Sequence, residues 1–290
     1  MLGQVRPAMI DLPKGSSVDI LPFMLIAVLL PLSLCAFALA APRLGLVKAN
    51  HEGRTIINSM GIPLILPVLI VYFLLGCQRP GGGLFFGFAI VAAGACILGV
   101  LDDRFGSRDV GGFRGHFSQL RRGRLTTGAA KALLLPAVAA MAALSIGQEG
   151  STVLLTVILV SLGANTINLL DVRPGRAVTA WFAVAGVAMA MSSRESHLPL
   201  LVLAESAAIY LPLDLARIAM LGDSGANAMG GLLGLFCAVS APIPFRITAI
   251  GLLLGIQWYS ESHSLSVAIQ HCWWLRWLDA GARLCRKPVS

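Results

Sequence analysis

Residues 84–101 read Leu84-Phe-Phe-Gly-Phe-Ala-Ile-Val-Ala-Ala-Gly-Ala-Cys-Ile-Leu-Gly-Val-Leu101, eighteen positions without a charge, and the chain then turns at once to Asp102-Asp103-Arg104. At a helical rise of about 1.5 Å per residue, such a run covers about 27 Å, close to the roughly 30 Å hydrocarbon core of a bilayer. It reads as a membrane span that ends on a pair of acids. Working outward, eight more apolar runs of this kind lie near 21–41, 60–76, 128–146, 152–168, 177–192, 198–213, 226–240 and 246–259. The expected fold is an all-α, polytopic transmembrane bundle of about nine spans, forming one integral membrane domain over 1–290. Several runs are nearer fifteen residues than twenty, a length that thinning of the bilayer or snorkelling accommodates.

Composition excludes other classes. With 57% hydrophobic and 12% charged residues in 290 and a mean hydropathy of +0.81, a soluble enzyme, a disordered tail and a disulfide-stapled secreted domain are ruled out. The six cysteines have neither C-x-x-C pairing nor metal-ligand spacing, and they read as small apolar packing residues. Residues 1–20 mix Arg6 and Lys14 with Asp11 and Asp19 ahead of a full-length run, so the first span is expected to be permanent rather than a cleaved signal.

A net charge of +8 could suggest nucleic acid, but no compact basic domain exists to carry such a surface, so no nucleic-acid partner is expected. Loop placement explains the excess instead. Sixteen of the Lys and Arg residues follow the odd-numbered runs and five lie on the other side. This bias puts the amino terminus outside and the carboxyl terminus in the cytoplasm.

With that orientation, the cytoplasmic ends of the spans carry three polar constellations. The first is Gly99-Val-Leu-Asp102-Asp103-Arg104-Phe-Gly106. Adjacent helical residues point about 100° apart, so the two carboxylates must take different roles: one for a divalent cation, the other for an acceptor phosphate or its proton. Interfacial charges balanced by Arg104 and Arg108 are the plainer alternative. The second is Asn165-Thr-Ile-Asn168-Leu-Leu-Asp171, whose spacing of three puts a polar stripe on one face of an apolar helix. Interhelical hydrogen bonding alone would account for both amides, though not for the continuation into Asp171 and the basic turn Arg173-Pro-Gly-Arg176. The third is Leu221-Gly-Asp223-Ser-Gly-Ala-Asn227. Here Asp223 or Ser224 reads either as a helix cap or as part of a helix start whose N–H groups meet a phosphate, with Asp223 on its Mg²⁺.

Taken together and in this order, the three motifs resemble those of the polyprenyl-phosphate N-acetylhexosamine-1-phosphate transferases (glycosyltransferase family 4), relatives of phospho-N-acetylmuramoyl-pentapeptide transferase and of undecaprenyl-phosphate GlcNAc-1-phosphate transferase. The resemblance runs from about residue 50 to 235, with weaker similarity in the loop Asn50 to Pro63 and at Lys131. It implies Mg²⁺-dependent transfer of a sugar 1-phosphate from a UDP-sugar to undecaprenyl phosphate, with release of UMP. The setting would be cell-envelope glycan synthesis at the cytoplasmic face of the plasma membrane. By the same resemblance Asp223 and Asn168 hold Mg²⁺, Asp102 and Asp103 serve the lipid phosphate and the metal environment, Asp171 lines the nucleotide pocket and Lys131 contacts a phosphate. Asn165, Asn168, Arg173, Arg176 and Asn227 are then the candidate substrate contacts. The bilayer is a partner throughout, and a second copy of the chain is a candidate one.

The chain departs from the family pattern twice. Where members read D-G-x-D-G, this chain has Asp171-Val-Arg-Pro174-Gly, so the second acid is a proline. The family's clustered histidines are also missing: His51, His116, His197, His263 and His271 are scattered, and Arg114, Arg121, Arg122 and Arg124 stand in the basic loop instead. Two competing readings use the same residues. One is a non-catalytic relative that binds a lipid phosphate or a partner. The other is a transporter using Glu205, an ionisable group inside the seventh run that costs about 2.5 kcal/mol or more if ionised and unpaired. Residues 270–285, with Trp273, Trp274, Arg276 and Trp277, are expected to form an interfacial amphipathic helix.

Overall fold

The computed structural model describes residues 20–49, 55–106, 121 and 126–279. Arg108, Arg114, Arg122, Arg124, His51, His116 and residues 280–285 of the expected terminal helix lie outside the described residues. Among the described residues, each apolar run is a helix: α1 Leu21–Ala40, α2 Gly61–Gln78, α3 Gly83–Phe105, α4 Thr127–Ser145, α5 Ser151–Leu170, α6 Arg176–Ala190, α7 Leu198–Leu215, α8 Gly222–Ser240 and α9 Ile243–Ser260. Six of them, α1 to α5 and α7, are long and apolar enough to cross a bilayer. The chain is a membrane protein, and large apolar side chains such as Val28, Phe73, Ile97, Leu133 and Leu252 are exposed on its outer surface.

The helices outrun the apolar segments. α3 continues to Phe105, α5 to Leu170 and α7 to Leu215, while α8 begins at Gly222. Backbone hydrogen bonding does not stop at the first charge, so Asp102, Asp103 and Asp214 ride on last turns and Asp223 on a first turn.

Helix α8 is the axis of the bundle. Every residue from Ser224 to Ala238 is buried, and the helix packs against α2, α3, α5, α6 and α7. Glycines bring backbones into contact there. A Cβ on Gly230 would lie 2.3 Å from the carbonyl oxygen of Gly163, and one on Gly61 would lie 2.0 Å from the Gly225 nitrogen. Between helices in lipid, such close approach supplies van der Waals attraction that apolar side chains facing lipid do not. Gly230→Ala is therefore expected to destabilise the α5–α8 contact by about 1–3 kcal/mol through overpacking. Gly186→Ala, whose added Cβ would meet no atom within 4 Å, should leave the thermal unfolding midpoint of the purified protein unchanged. Equal midpoints for the two variants would remove the argument.

Two expectations need correction. The described chain is not purely helical: β1 Val47–Ala49 and β2 Thr55–Ile57 form an antiparallel pair with Lys48 opposite Ile56, and Ile57 bridges Ala219 in parallel. The cause is a local cluster of β-branched residues beside the segment leading into α8, where Met220 N donates to Ile57 O at 2.8 Å and Met60 N to Met220 O at 3.2 Å. The carboxyl-terminal segment is likewise not one helix from 270. It is a short helix α10, Leu265–His271, followed after Cys272 by a 3-10 helix, Trp273–Asp279. It folds back on the ends of α5 and α6, where Ile269 and Leu278 pack on Ala180 in a small cluster apart from the main core.

Candidate functional site

The ends of α3 and α7, the turn that follows α5 and the start of α8 meet around one cleft of about 480 Å³. Five carboxylates line it, Asp102, Asp103, Asp171, Asp214 and Asp223. Lys48, Arg173 and Arg217 share its wall. An acidic centre with cations beside it suits a divalent cation together with a polyanionic ligand.

Asp102 and Asp103 do diverge, as adjacent helical positions must. Asp102 faces α4 and α8: Lys131 Nζ donates to Asp102 Oδ2 at 3.1 Å and to Asp223 Oδ2 at 2.8 Å. The ammonium thus bridges two carboxylates from helices far apart in sequence. Asn168 Nδ2 donates to the same Asp223 oxygen at 2.9 Å and lies 3.4 Å from Asn227 Oδ1, which accepts from it.

Asp103 faces the interior, with its side chain only 3% exposed. Its Oδ1 accepts from Asn58 Nδ2 at 3.0 Å and Asp223 N at 3.2 Å, and its Oδ2 accepts from Ser59 Oγ at 2.7 Å and Ser224 N at 3.2 Å. Lys48 Nζ lies 3.6 Å away. Asp171 Oδ2 accepts from Gly222 N at 3.0 Å. The first amides of α8 are therefore capped by acids imported from α3 and from the end of α5. This corrects the cap reading of the third motif and the open-amide part of its phosphate reading. Neither Asp223 nor Ser224 caps its own helix through its side chain, and the N–H groups of Gly222, Asp223 and Ser224 are already engaged rather than open to a phosphate. Gly222 itself is obligatory, because it sits at φ +71° and a Cβ there would fall 2.7 Å from Asp103 Oδ2 and 2.8 Å from Ser59 N.

Burial, reinforced by the charges of Asp214, Asp223 and Asp103, pushes the Asp171 carboxyl well above the ordinary carboxylate range, and the bond from Gly222 only partly offsets this. Between the unfolded and the folded value, the folded chain holds a proton that the unfolded chain has released. Stability from this group is fully present below the unfolded value, about pH 3.9, and is lost as pH rises toward the folded one. In Mg²⁺-free buffer, the unfolding midpoint is expected to fall between pH 5 and pH 8 more steeply for the natural chain than for Asp171→Asn, which is neutral throughout. Parallel pH profiles would show that Asp171 is not the group responsible.

Of the residues singled out in the sequence, Asp102, Asp103, Asp171, Asp223, Arg173, Lys131, Asn168 and Asn227 are assembled at or directly behind the cleft. Two are not. Asn165 donates to Gln257 Oε1 of α9, while Gln257 Nε2 donates to Thr166 Oγ1 at 2.9 Å, so this amide joins helices. Arg176 is fully buried and held by Asp279 and Ser266. Sequence reasoning missed Asn58 and Ser59, whose roles depend on a contact 44 or 45 positions away. It also assigned nothing to Asp214, whose Oδ2 accepts from Gly175 N at 3.0 Å, or to Lys48 and Arg217. Among the described histidines, none lines the cleft.

No family model matches the chain, and no curated protein does either. Among the described residues, no three His, Cys, Asp or Glu side chains form a ready-made metal cage. Mg²⁺ does not require one: it is usually held by one or two carboxylates, with water and ligand phosphates completing the shell. Asp102 and Asp223, both within 3.1 Å of one ammonium and with side chains 19% and 27% exposed, fit that donor set.

Proposed function

We propose that the protein transfers a sugar 1-phosphate from a UDP-sugar to a polyprenyl phosphate such as undecaprenyl phosphate, releasing UMP, at the cytoplasmic face of the plasma membrane. In this reading all nine helices α1 to α9 cross the bilayer, with the amino terminus outside. The observation that carries it is the convergence, from four separate helices, of Asp102 and Asp223 on one cleft with Lys131 and Asn168 bonded behind them.

In the reaction, an oxygen of the lipid phosphate attacks the sugar-bearing phosphorus. The bond from that phosphorus to the bridging oxygen breaks, and the electron pair leaves with UMP. A phosphate monoester, with a second pKa near 6, is largely ionised at pH 7, so no residue has to remove a proton. What remains is positioning and charge stabilisation. Asp102 and Asp223 would hold Mg²⁺, which when bound supplies charge neutralisation to the pyrophosphate. Lys131 neutralises the carboxylate pair while the site is without cation and is placed to turn to a phosphate oxygen. Arg173, on the cleft wall and held by Asp279, supplies positive charge beside the phosphates. Asp103 acts at one remove, by fixing the start of α8.

Purified protein incubated with undecaprenyl phosphate, Mg²⁺ and a panel of UDP-sugars is expected to release UMP with at least one sugar. The transport reading keeps one observation, since Glu205 Oε2 on α7 is buried with no hydrogen-bond partner among the described residues. Glu205→Gln is expected to leave UMP release unchanged within about twofold, as for a change remote from the reacting atoms. A well-folded preparation that releases no UMP from any sugar nucleotide would overturn the transferase reading and favour a non-catalytic lipid-phosphate binder.

A further inference from the structure

The loop from Asp171 to Pro174 forms part of the cleft wall, and it is gripped from behind by the carboxyl-terminal segment. Arg176, at the start of α6, donates through Nε and Nη2 to the two oxygens of Asp279 at 2.8 and 3.0 Å, and through Nη1 to Ser266 Oγ at 2.8 Å. Asp279 is itself buried and accepts a third bond from Arg173 Nη1 at 3.1 Å. The two arginines differ in one respect. Arg176 is wholly enclosed, whereas the Arg173 side chain is 40% exposed and reaches the cleft. A single carboxylate from the tail therefore ties a structural arginine to a cleft-facing one.

The segment that delivers Asp279 has a modest hold on the bundle besides these bonds, with Ile269 and Leu278 in their own small cluster. Its outward side carries Trp273, Trp274 and Trp277, at 81%, 58% and 45% exposure. Tryptophans beside the end of an apolar helix favour headgroup depth. Arg276 among them matches an anionic lipid surface.

We propose that Leu265–Asp279 is a strap on the bilayer surface that, through Asp279, positions Arg173 to meet the phosphates of the anionic substrate. The identity of that anion rests on the transferase reading, but the mechanical link from tail to loop does not. Asp279 is a positioning residue and Arg173 the contact, so the tail governs how tightly the nucleotide binds while Asp102 and Asp223 govern turnover.

The test uses the full chain in nanodiscs containing phosphatidylglycerol, with two readouts. Hydrogen exchange of the amides in 171–176 is expected to quicken about tenfold in Asp279→Asn, the effect of losing part of a charge-assisted bidentate pair. Because that change leaves Arg176 buried without its counter-charge, the double variant R176M/D279L, which removes both charges, serves as a second case with the same expectation. W273A/W274A/W277A should also quicken exchange; unchanged exchange there overturns the bilayer-docked part of the proposal, and unchanged exchange in all three overturns the strap. In the second readout, the KM for UDP-N-acetylglucosamine, or whichever UDP-sugar is turned over, is expected to rise about tenfold in Asp279→Asn with kcat nearly constant. Arg173→Ala should match it, and D279N/R173A should add nothing further. Additive losses, or a fall in kcat at constant KM, overturn the positioning role. Faster exchange without UMP release from any nucleotide would sink the transferase reading and leave the strap; UMP release with unaltered exchange would do the reverse.

Discussion

Asp223→Asn is expected to reduce UMP release by about a thousandfold or more, equivalent to the several kcal/mol of charge stabilisation that a bound metal contributes. The substitution preserves shape, and its one carbonyl oxygen can still accept from Asn168 Nδ2 and Lys131 Nζ, which now donate to Asp223 Oδ2 at 2.9 and 2.8 Å, but it removes the negative charge and turns the other oxygen into an NH2 donor. It also removes half of the carboxylate pair that would hold the cation. The check is a UMP-release assay on protein whose elution profile and unfolding midpoint match those of the natural chain. Raising Mg²⁺ should restore little of the lost rate, because one of the two anionic donors is gone. Retention of even a tenth of the activity would mean that the cation, if one is used, sits elsewhere.

Asp103→Ala should fail differently. It strips acceptors from Asn58, Ser59 and two amides of α8 at once, and it leaves those donors buried. Removing one member of such a buried, charge-assisted network costs about 3–5 kcal/mol, a large share of the margin of a typical fold. The expected result is a much lower unfolding midpoint, with UMP release falling in step with the folded fraction and its Mg²⁺ dependence unaltered in what remains. Should Asp103→Ala instead unfold at the normal temperature and lose its response to Mg²⁺, Asp103 would be a ligand rather than a support. The comparison with Asp223→Asn separates two acids that a linear motif treats alike.

How much of this was legible beforehand depends on which physical signal each feature leaves. Helix positions could be found because lipid demands apolar runs, and each run is a helix among the described residues. Helix ends could not, since hydropathy falls at the first Asp while the hydrogen-bond ladder continues; the apolar run near 198–213 stops one residue short of Asp214, which rides on the last turn of α7. The divergence of Asp102 from Asp103 followed from helical geometry alone. The partner of Asn165 did not, because an amide facing Gln257 and an amide facing a ligand look identical in sequence. Arg176 misled for the same reason: its counter-ion, Asp279, lies 103 positions away. Ser59 sits at φ +62°, and no local pattern announces a serine held in that conformation by a distant carboxylate.

The glycine-rich axis of the bundle has a bearing on how the chain is made. A segment that opens Gly-Asp-Ser-Gly-Ala-Asn partitions poorly from the translocon into lipid by itself, since insertion depends on summed apolarity. It emerges from the ribosome only after α3 and α5, which enclose it in the finished protein. Those earlier segments can form a groove that accepts the latecomer by fit rather than by greasiness. A nascent chain halted before residue 222 would leave that groove to lipid, and the acids of α3 and α5 would have no amides to grip.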